Sequence, residues 1–372
     1  MKFLVISSAP FIRKSDGIYA YSPYVKEIEV WQKYVDEIAF SCTFWEKEGD
    51  LLITKIPFKI DKIYELKEFN FKTFFSALKA IPILLINCII LFKSIYNSDV
   101  IHLRCPGNIG LLASCIQIFF PNKKKTVKYA GNWDSKAKQP ISYKIQKWIL
   151  SNTFLTKNMQ VLVYGEWKNQ TKNIKPFFTA TYAKSEIIEI EPRNMNGTIK
   201  MIFVGMLSKG KQPLYVIKVV EELKKQNFDI ELSIYGDGSE RAILEEYIHS
   251  KKLNSNIFLK GNTDRESMKK IYQESHCLIL PSKSEGWPKV VAEAMFWGCL
   301  PIATPISCVP NMLNFGERGI LLTENLQTDV TSISDLLSNQ EEYNKKIKEG
   351  INWSRQFTID KFEQEIKNIL KS

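Results

Sequence analysis

The sequence is poor in the residues that most metal and nucleophile chemistries require. It has three histidines, His102, His249 and His276, in 372 residues, and their spacing fits no metal-ligand pattern. No Asp-x-Asp occurs anywhere, nor a P-loop, a nucleophile-elbow serine or a zinc signature. Metal use is therefore not expected. Seven cysteines, an odd number without a CxxC pair, argue against a disulfide framework and for reduced thiols in a cytoplasm. Cys277 and Cys299 lie in apolar runs and read as core. The chain also lacks the roughly 20 consecutive apolar residues that a bilayer span needs. Its first six residues, MKFLVI, are too few for a secretory signal and read as a buried strand.

What is present is an ordinary globular composition, 45% hydrophobic and 24% charged, long enough for two domains. The charge is one-sided. Residues 1–190 hold 27 Lys and Arg against 16 Asp and Glu, whereas residues 191–372 hold 24 against 24. The whole net charge of +11 thus sits in the first half. That points to an anionic partner such as a membrane surface, a phosphorylated lipid or nucleic acid. A lysine-rich solvated surface without a partner is the plain alternative. No basic–aromatic motif of defined spacing supports nucleic acid, which is set aside.

Short apolar runs alternate with helical patterns through both halves, as expected of doubly wound parallel sheets. Strand candidates in the first half are at residues 3–6, 100–103, 127–129 and 161–163. A loop is expected over residues 7–17. Residues 191–197, EPRNMNG, read as a linker, so the expected domains are 1–190 and 198–352. Strands are then expected at 201–204, 232–235, 257–259 and 277–280, with a helix over 214–223. Residues 353–372 read as one amphipathic helix with Phe357, Phe362, Ile366, Ile369 and Leu370 on its apolar side, packing back toward the first domain. Residues 77–92 are rich in Ile and Leu but broken by Lys79, Pro82 and Asn87. A helix buried against the sheet is the preferred reading; an interfacial membrane helix stays open.

The most informative stretch is residues 280–295, LPSKSEGWPKVVAEAM. A buried strand stops at Pro281, a tight loop follows, and a helix begins with Pro288 in its first position and Gly298 just beyond its end. Glu285 then lies in the loop and Glu293 near the second helical turn. Both would face the crevice at the carboxyl end of a strand, where open α/β sheets bind ligands. The amides of Gly286 and Trp287 would point toward a phosphate there. In the first half, Asp16 and Gly17 follow the first strand. Arg104 follows another, where its guanidinium fork would suit a phosphate or loop carbonyls. His102 reads as a satisfied core histidine.

Residues 200–320 resemble the donor-binding half of the retaining GT-B glycosyltransferases of family 4, the group 1 glycosyltransferases. The resemblance rests on Phe203-Val204-Gly205, Tyr235-Gly236-Asp237-Gly238, Gly261-Asn262-Thr263-Asp264-Arg265, Leu280-Pro281-Ser282, Glu285-Gly286-Trp287, Glu293-Ala294-Met295, Gly298 and Pro301-Ile302-Ala303-Thr304. It implies a GT-B fold, two doubly wound Rossmann-like domains facing a central cleft, with the acceptor in the first and a nucleotide-sugar donor in the second. It further implies that Glu293 binds the ribose hydroxyls, Glu285 the donor sugar, Lys211 the diphosphate, and Asn262 and Thr263 the base. Gly205, Gly236, Gly286 and Trp287 would complete the donor site. The donor is expected to be a UDP- or GDP-sugar, a co-substrate used without cofactor or metal.

The departures lie where relatives carry cations and a histidine. Met206 stands in place of a frequent Arg, with Lys209 and Lys289 as substitutes, and Pro288 replaces a frequent glycine. Residues 129–134, YAGNWD, lack the His that many relatives place there. Asn132 or Asp134 would fill that acceptor-side role, and Asp134 joins Glu285 and Lys211 as an expected catalytic residue. The leading expectation is a cytoplasmic retaining glycosyltransferase, peripheral to the inner membrane face, acting on a hydroxyl of a lipid-linked or surface polysaccharide intermediate. A non-catalytic nucleotide-sugar-binding subunit and a nucleotide-sugar epimerase of the same fold are the alternatives.

Overall fold

The structure, a computed structural model, describes residues 1–46, 52–69, 74–191 and 193–371, without the side chains of 74–79. Pro192 and Ser372, in the expected linker and last helix, lie outside the described residues. The chain divides into two compact units, Met1–Phe177 with Glu363–Ser372, and Phe178–Phe362. Residues 178–190, expected in the first domain, cluster with the second unit.

The first unit runs β1 (Lys2–Ile6), β2 (Phe11–Lys14), β3 (Gly17–Tyr21), α1 (Ser22–Gln32), β4 (Glu37–Cys42), β5 (Phe44–Trp45), β6 (Ile53–Lys55), β7 (Lys62–Glu65), α2 (Phe74–Tyr96), β8 (Val100–Cys105), α3 (Asn108–Ile116), β9 (Lys124–Tyr129), α4 (Ile141–Ser151), β10 (Met159–Tyr164) and β11 (Ile174–Phe177). Its main sheet is parallel, in the order β11-β10-β9-β8-β1-β4-β7. The winding starts at β1, goes out to β7, returns through α2 to β8, and continues the other way. The central strands are buried on both faces; β1 reads as a continuous apolar run, whereas β8 (VIHLRC) and β9 (KKTVKY) carry buried polar residues, among them His102, Lys125 and Lys128.

Two expectations for this unit change. Residues 7–17 are not simply a loop. Phe11 and Ile12 are buried, and β2 pairs antiparallel with β3 around a turn at Ser15-Asp16, within a small sheet β5-β2-β3-β6. The apolar segment at 77–92 is part of the 23-residue α2. Its Leu91 and Ile95 enter one core cluster with Ile109 and Ala113 of α3 and Leu150 of α4. Asn87, which interrupts the apolar run, is buried and bonds the backbone of Lys67 in both directions, at 2.9 and 2.8 Å. The other side of α2 is exposed, so the helix is not buried all round. Among the described residues no helix is long and apolar enough to cross a membrane.

The second unit runs β12 (Ile199–Val204), α5 (Pro213–Lys225), β13 (Ile230–Tyr235), α6 (Arg241–Ser250), β14 (Ile257–Gly261), α7 (Arg265–Glu274), β15 (Cys277–Leu280), α8 (Lys289–Phe296), β16 (Leu300–Ala303), α9 (Val309–Met312), β17 (Ile320–Leu321), α10 (Leu326–Leu337), α11 (Gln340–Ser354) and α12 (Ile359–Lys371). Its sheet is parallel throughout, in the order β14-β13-β12-β15-β16-β17. The strand order reverses beside β12, which makes the carboxyl ends of β12 and β15 the switch point of the sheet. Arg193, expected in a linker, is packed into this unit, with its guanidinium donating to the carbonyls of Tyr272 (3.0 Å) and Trp297 (2.9 Å). The single helix expected over 353–372 is broken. Ser354 ends α11, and the chain restarts at Ile359, whose N–H donates to Tyr182 O at 2.9 Å while Thr358 Oγ1 accepts from Lys361 N at 3.2 Å. From Glu363 onward α12 clusters with the first unit, where Glu363 meets Tyr34 (2.8 Å) and Leu370 O accepts from Lys124 (2.7 Å).

Candidate active site

The strand ends at the switch point are stitched together through glycines. Gly205 N donates to Tyr235 O at 2.9 Å and Gly236 N to Gly261 O at 2.8 Å. Gly236 has φ +132°, and a Cβ there would lie 1.9 Å from the Gly205 carbonyl oxygen. Only glycine permits that approach. The loop after β12 is then tied to the loop after β15: Lys283 N donates to Gly210 O (2.8 Å) and the Gln212 side chain to Pro281 O (2.7 Å).

These ties set the Lys211 ammonium directly against Glu285 Oε1. The side chains are 29% and 11% exposed, so this is a half-buried pair rather than a surface one. Gly286 is held through its carbonyl, which accepts from the Ser307 hydroxyl (2.8 Å) and the Cys308 thiol (3.2 Å). The Trp287 ring stacks on Trp353 with centroids 6.2 Å apart and meets Phe357 edge-on at 5.9 Å. Pro288 caps α8 from just outside instead of occupying its first turn, because its ψ of 92° is extended. Gly298, with φ +69°, ends the helix as expected, its N–H donating to Met295 O at 3.1 Å.

Glu293 stands on α8 with a different duty. Its Oε1 accepts from the Thr181 hydroxyl at 2.6 Å and its Oε2 from the Tyr272 hydroxyl at 3.1 Å. Tyr272 is fully buried, and burial, followed by the Glu293 charge, drives its phenol far above the ordinary range. It therefore stays a proton donor. One carboxylate thus faces a cation and the other faces two hydroxyls. Asn262 and Thr263 lie exposed between β14 and α7, whose first turn is capped by Asp264 through bonds to the N–H groups of Glu266 (2.9 Å) and Ser267 (3.0 Å). Met206 is 60% exposed, and Lys209 is exposed as well. Among the described residues no three His, Cys, Asp or Glu side chains gather as a metal site.

The expected residues of the first unit do not form one cluster. Asp16 and Gly17 lie at the tip of the β2–β3 hairpin, where Asp16 accepts from Tyr19 OH (2.8 Å) and faces Lys55 (3.4 Å). Asn132 and Asp134 form a tight turn, with Asn132 Oδ1 accepting from Asp134 N at 2.8 Å, and Lys147 donates to Asp134 O at 3.1 Å. Arg104 is in β8 rather than a loop. It pairs with buried Glu27 at 3.1 Å, and Glu27 also pairs with Lys128 at 3.4 Å. Burial alone would raise the Glu27 carboxyl, but Arg104, Lys128 and the neighbouring His102 outweigh it and hold it at about 2. His102 itself is buried, bonded through Nδ1 to Thr126 at 2.8 Å, and lowered by burial to about 3; it is a core histidine as expected, but only half satisfied, since its buried Nε2 has no hydrogen-bond partner among the described residues.

Sequence spacing gave no sign of Thr181 and Tyr272 as partners of Glu293, or of Glu27 as the counter-ion of Arg104. Each pair is joined only by the winding of the chain.

Residues 184–353 match the family described as Glycosyl transferases group 1. An uncharacterized glycosyltransferase of Haemophilus influenzae is 30% identical over 191 residues, which cover 50% of this chain and 51% of that protein. The chain thus spans about half the length of that relative. A GalNAc-alpha-(1->4)-GalNAc-alpha-(1->3)-diNAcBac-PP-undecaprenol alpha-1,4-N-acetyl-D-galactosaminyltransferase of Campylobacter jejuni is 22% identical over 315 residues, 82% of this chain and 80% of that protein. Among solved structures, HepE of Anabaena in complex with UDP and glucose aligns over 100% of both chains, with a TM-score of 0.67 and 12% identity. The fold is the GT-B fold of two Rossmann-like units. Residues 184–353, the stretch that carries Lys211, Glu285 and Glu293, are thus similar to the group 1 glycosyl transferases.

Proposed function

We propose that the protein is a retaining, metal-independent glycosyltransferase that moves a sugar from a nucleoside diphosphate sugar to a hydroxyl acceptor. The observation that carries this reading is the division of labour between Glu285, paired with Lys211, and Glu293, which accepts from two hydroxyls. A ribose diol would use the remaining acceptor capacity of Glu293 or replace the Thr181 hydroxyl. The diphosphate would draw Lys211 from Glu285, freeing that carboxylate for the donor sugar. Charge grows on the leaving diphosphate in the transition state, where a fixed ammonium stabilises it more than in the ground state. The bond from the anomeric carbon to the phosphate oxygen breaks, the acceptor oxygen bonds on the same face, and the acceptor proton passes to the departing phosphate. No side-chain base is then required, which suits a turn holding Asn132 and Asp134 where relatives carry a histidine.

UDP-sugars are the first donors to test and GDP-sugars the second; HepE is known with UDP. A lipid-linked glycan acceptor at a cytoplasmic membrane face is proposed, supported by the undecaprenol named for the Campylobacter relative and by the basic first half. Asn262 and Thr263 are assigned to the base, Gly205, Gly236, Gly286 and Trp287 to the donor, and Asp16, Gly17, Arg104, Asn132 and Asp134 to the acceptor side. Met206 in place of a phosphate-binding Arg favours one second reading, a binding subunit without turnover.

The experiment is a panel of UDP, GDP and their sugars with the purified protein, reading thermal stabilisation and, with polyprenyl diphosphate glycans, sugar transfer. Stabilisation by one nucleotide class with transfer supports the proposal. Stabilisation without transfer or donor hydrolysis selects the binding subunit, and no stabilisation by any nucleotide overturns both.

A further inference from the structure

Helices α2, α3 and α4 contain no Asp or Glu. Residues 74–160, which run through them, hold 12 Lys and Arg against 2 Asp and no Glu. The three helices share the core cluster described above, and α3 packs against both of the others, so they cover the same side of the sheet.

Their outer surface is apolar in rows. On α2, Ile81, Leu85, Ile89, Phe92 and Tyr96 are exposed at helical spacing, Ile89 by 70%. On α4, Ile141, Ile145 and Trp148 do the same, Trp148 by 63%. Exposed lysines stand among them at Lys93 and Lys144. The Phe92 ring lies 4.8 Å from that of Phe120, and Lys123 donates to Tyr96 O at 2.9 Å; the residues between Phe120 and Lys123, Pro121 and Asn122, line a basic hollow. The hollow, about 670 Å³, is lined by Lys124, Lys125, Lys157, Lys172 and Lys175 and by no carboxylate. Phe154, 77% exposed, stands between its lining residues Thr153 and Thr156.

We propose that this face of the first unit docks on an anionic phospholipid bilayer. The rows on α2 and α4 enter the interfacial layer, and the exposed Lys93, Lys144, Lys157, Lys172 and Lys175 meet lipid phosphates, whereas Lys124 and Lys125 bond the backbone of Leu370 and Phe120. Single exposed apolar residues need no explanation, but two aligned rows on neighbouring helices do. An apolar row in a carboxylate-free, lysine-bearing layer is the pattern of a helix lying in a membrane interface. A second copy of the chain is a poorer occupant, because two such faces would bring like charges together. The inference does not depend on glycosyl transfer, and its test reads binding only.

The test is co-sedimentation of the full chain with vesicles of phosphatidylglycerol and phosphatidylcholine, or of phosphatidylcholine alone. Binding is expected only to the anionic vesicles and is expected to weaken with salt. Leu85→Gln with Ile89→Gln, and separately Trp148→Gln, should each weaken partitioning by about tenfold or more, with unchanged circular dichroism and melting. Lys144→Glu with Lys157→Glu should flatten the salt dependence. Failure to sediment with anionic vesicles overturns the proposal. So does binding that the apolar variants leave unchanged, or a concentration-dependent dimer in light scattering that those variants dissociate.

Discussion

Removing the Glu293 carboxylate separates its two duties. It accepts from Thr181 at 2.6 Å and Tyr272 at 3.1 Å, and a carboxylate has about four acceptor positions, so about two are left for a ribose diol. Hydrogen bonds to a charged group contribute about 1.5–3 kcal/mol each. Water and a rearranged Thr181 recover part of this, so Glu293→Ala should cost about 2–3 kcal/mol of donor binding, roughly 30- to 150-fold in Kd. The same change strands the hydroxyl of Tyr272, which is 0% exposed, and should lower stability by about 1–3 kcal/mol. Titration calorimetry with the stabilising nucleotide reads the first loss and urea unfolding the second. Tyr272→Phe is the control, since it frees one carboxylate oxygen without removing the charge and should hold Kd within about threefold. A Glu293→Ala protein that binds the nucleotide as tightly as the parent, though destabilised, would refute the ribose assignment and leave Glu293 a purely structural acceptor.

Glu285→Ala should lower turnover by about a hundredfold or more while changing donor Kd little, as expected of a group acting on the transition state; unchanged turnover would remove Glu285 from the chemistry. Gly236→Ala drives a Cβ to 1.9 Å from Gly205 O and should cost about 3 kcal/mol or more in urea unfolding; a parental midpoint would show that the two turns can part freely. His102 is lowered from 6.5 to about 3, so folding favours its neutral form. The stability it contributes is whole above pH 6.5 and declines toward pH 3, by about 2 kcal/mol on reaching pH 5. Urea unfolding between those two pH values should show that decline and lose most of it in His102→Asn.

The doubly wound architecture was legible because strands buried on both faces leave continuous apolar runs, as at residues 3–6 and 277–280. The loop between Glu285 and Glu293 was legible because Pro288 and Gly298 punctuate a helix by their own backbone limits. The β2–β3 hairpin was missed because Arg13 to Asp16 present turn chemistry with little apolar alternation. The break in the last helix was missed because it depends on Tyr182 accepting from Ile359, a contact distant in sequence. Arg104 was placed in a loop facing ligand because nothing local announces Glu27; the pair exists only once α1 packs on the sheet. The exposed side of α2 was half visible, since Asn87 marked an interruption but not which side it faced.

The chain enters the first unit twice, once over Met1–Phe177 and again from Glu363. Synthesis runs from the amino terminus, so the second unit is complete in sequence while the first still lacks its closing segment. Ile366, Ile369 and Leu370 are buried there, and Leu370 O holds the Lys124 ammonium. On the ribosome the nascent seven-stranded unit thus keeps an apolar gap until the closing turns of α12 emerge, after the whole second unit has been made.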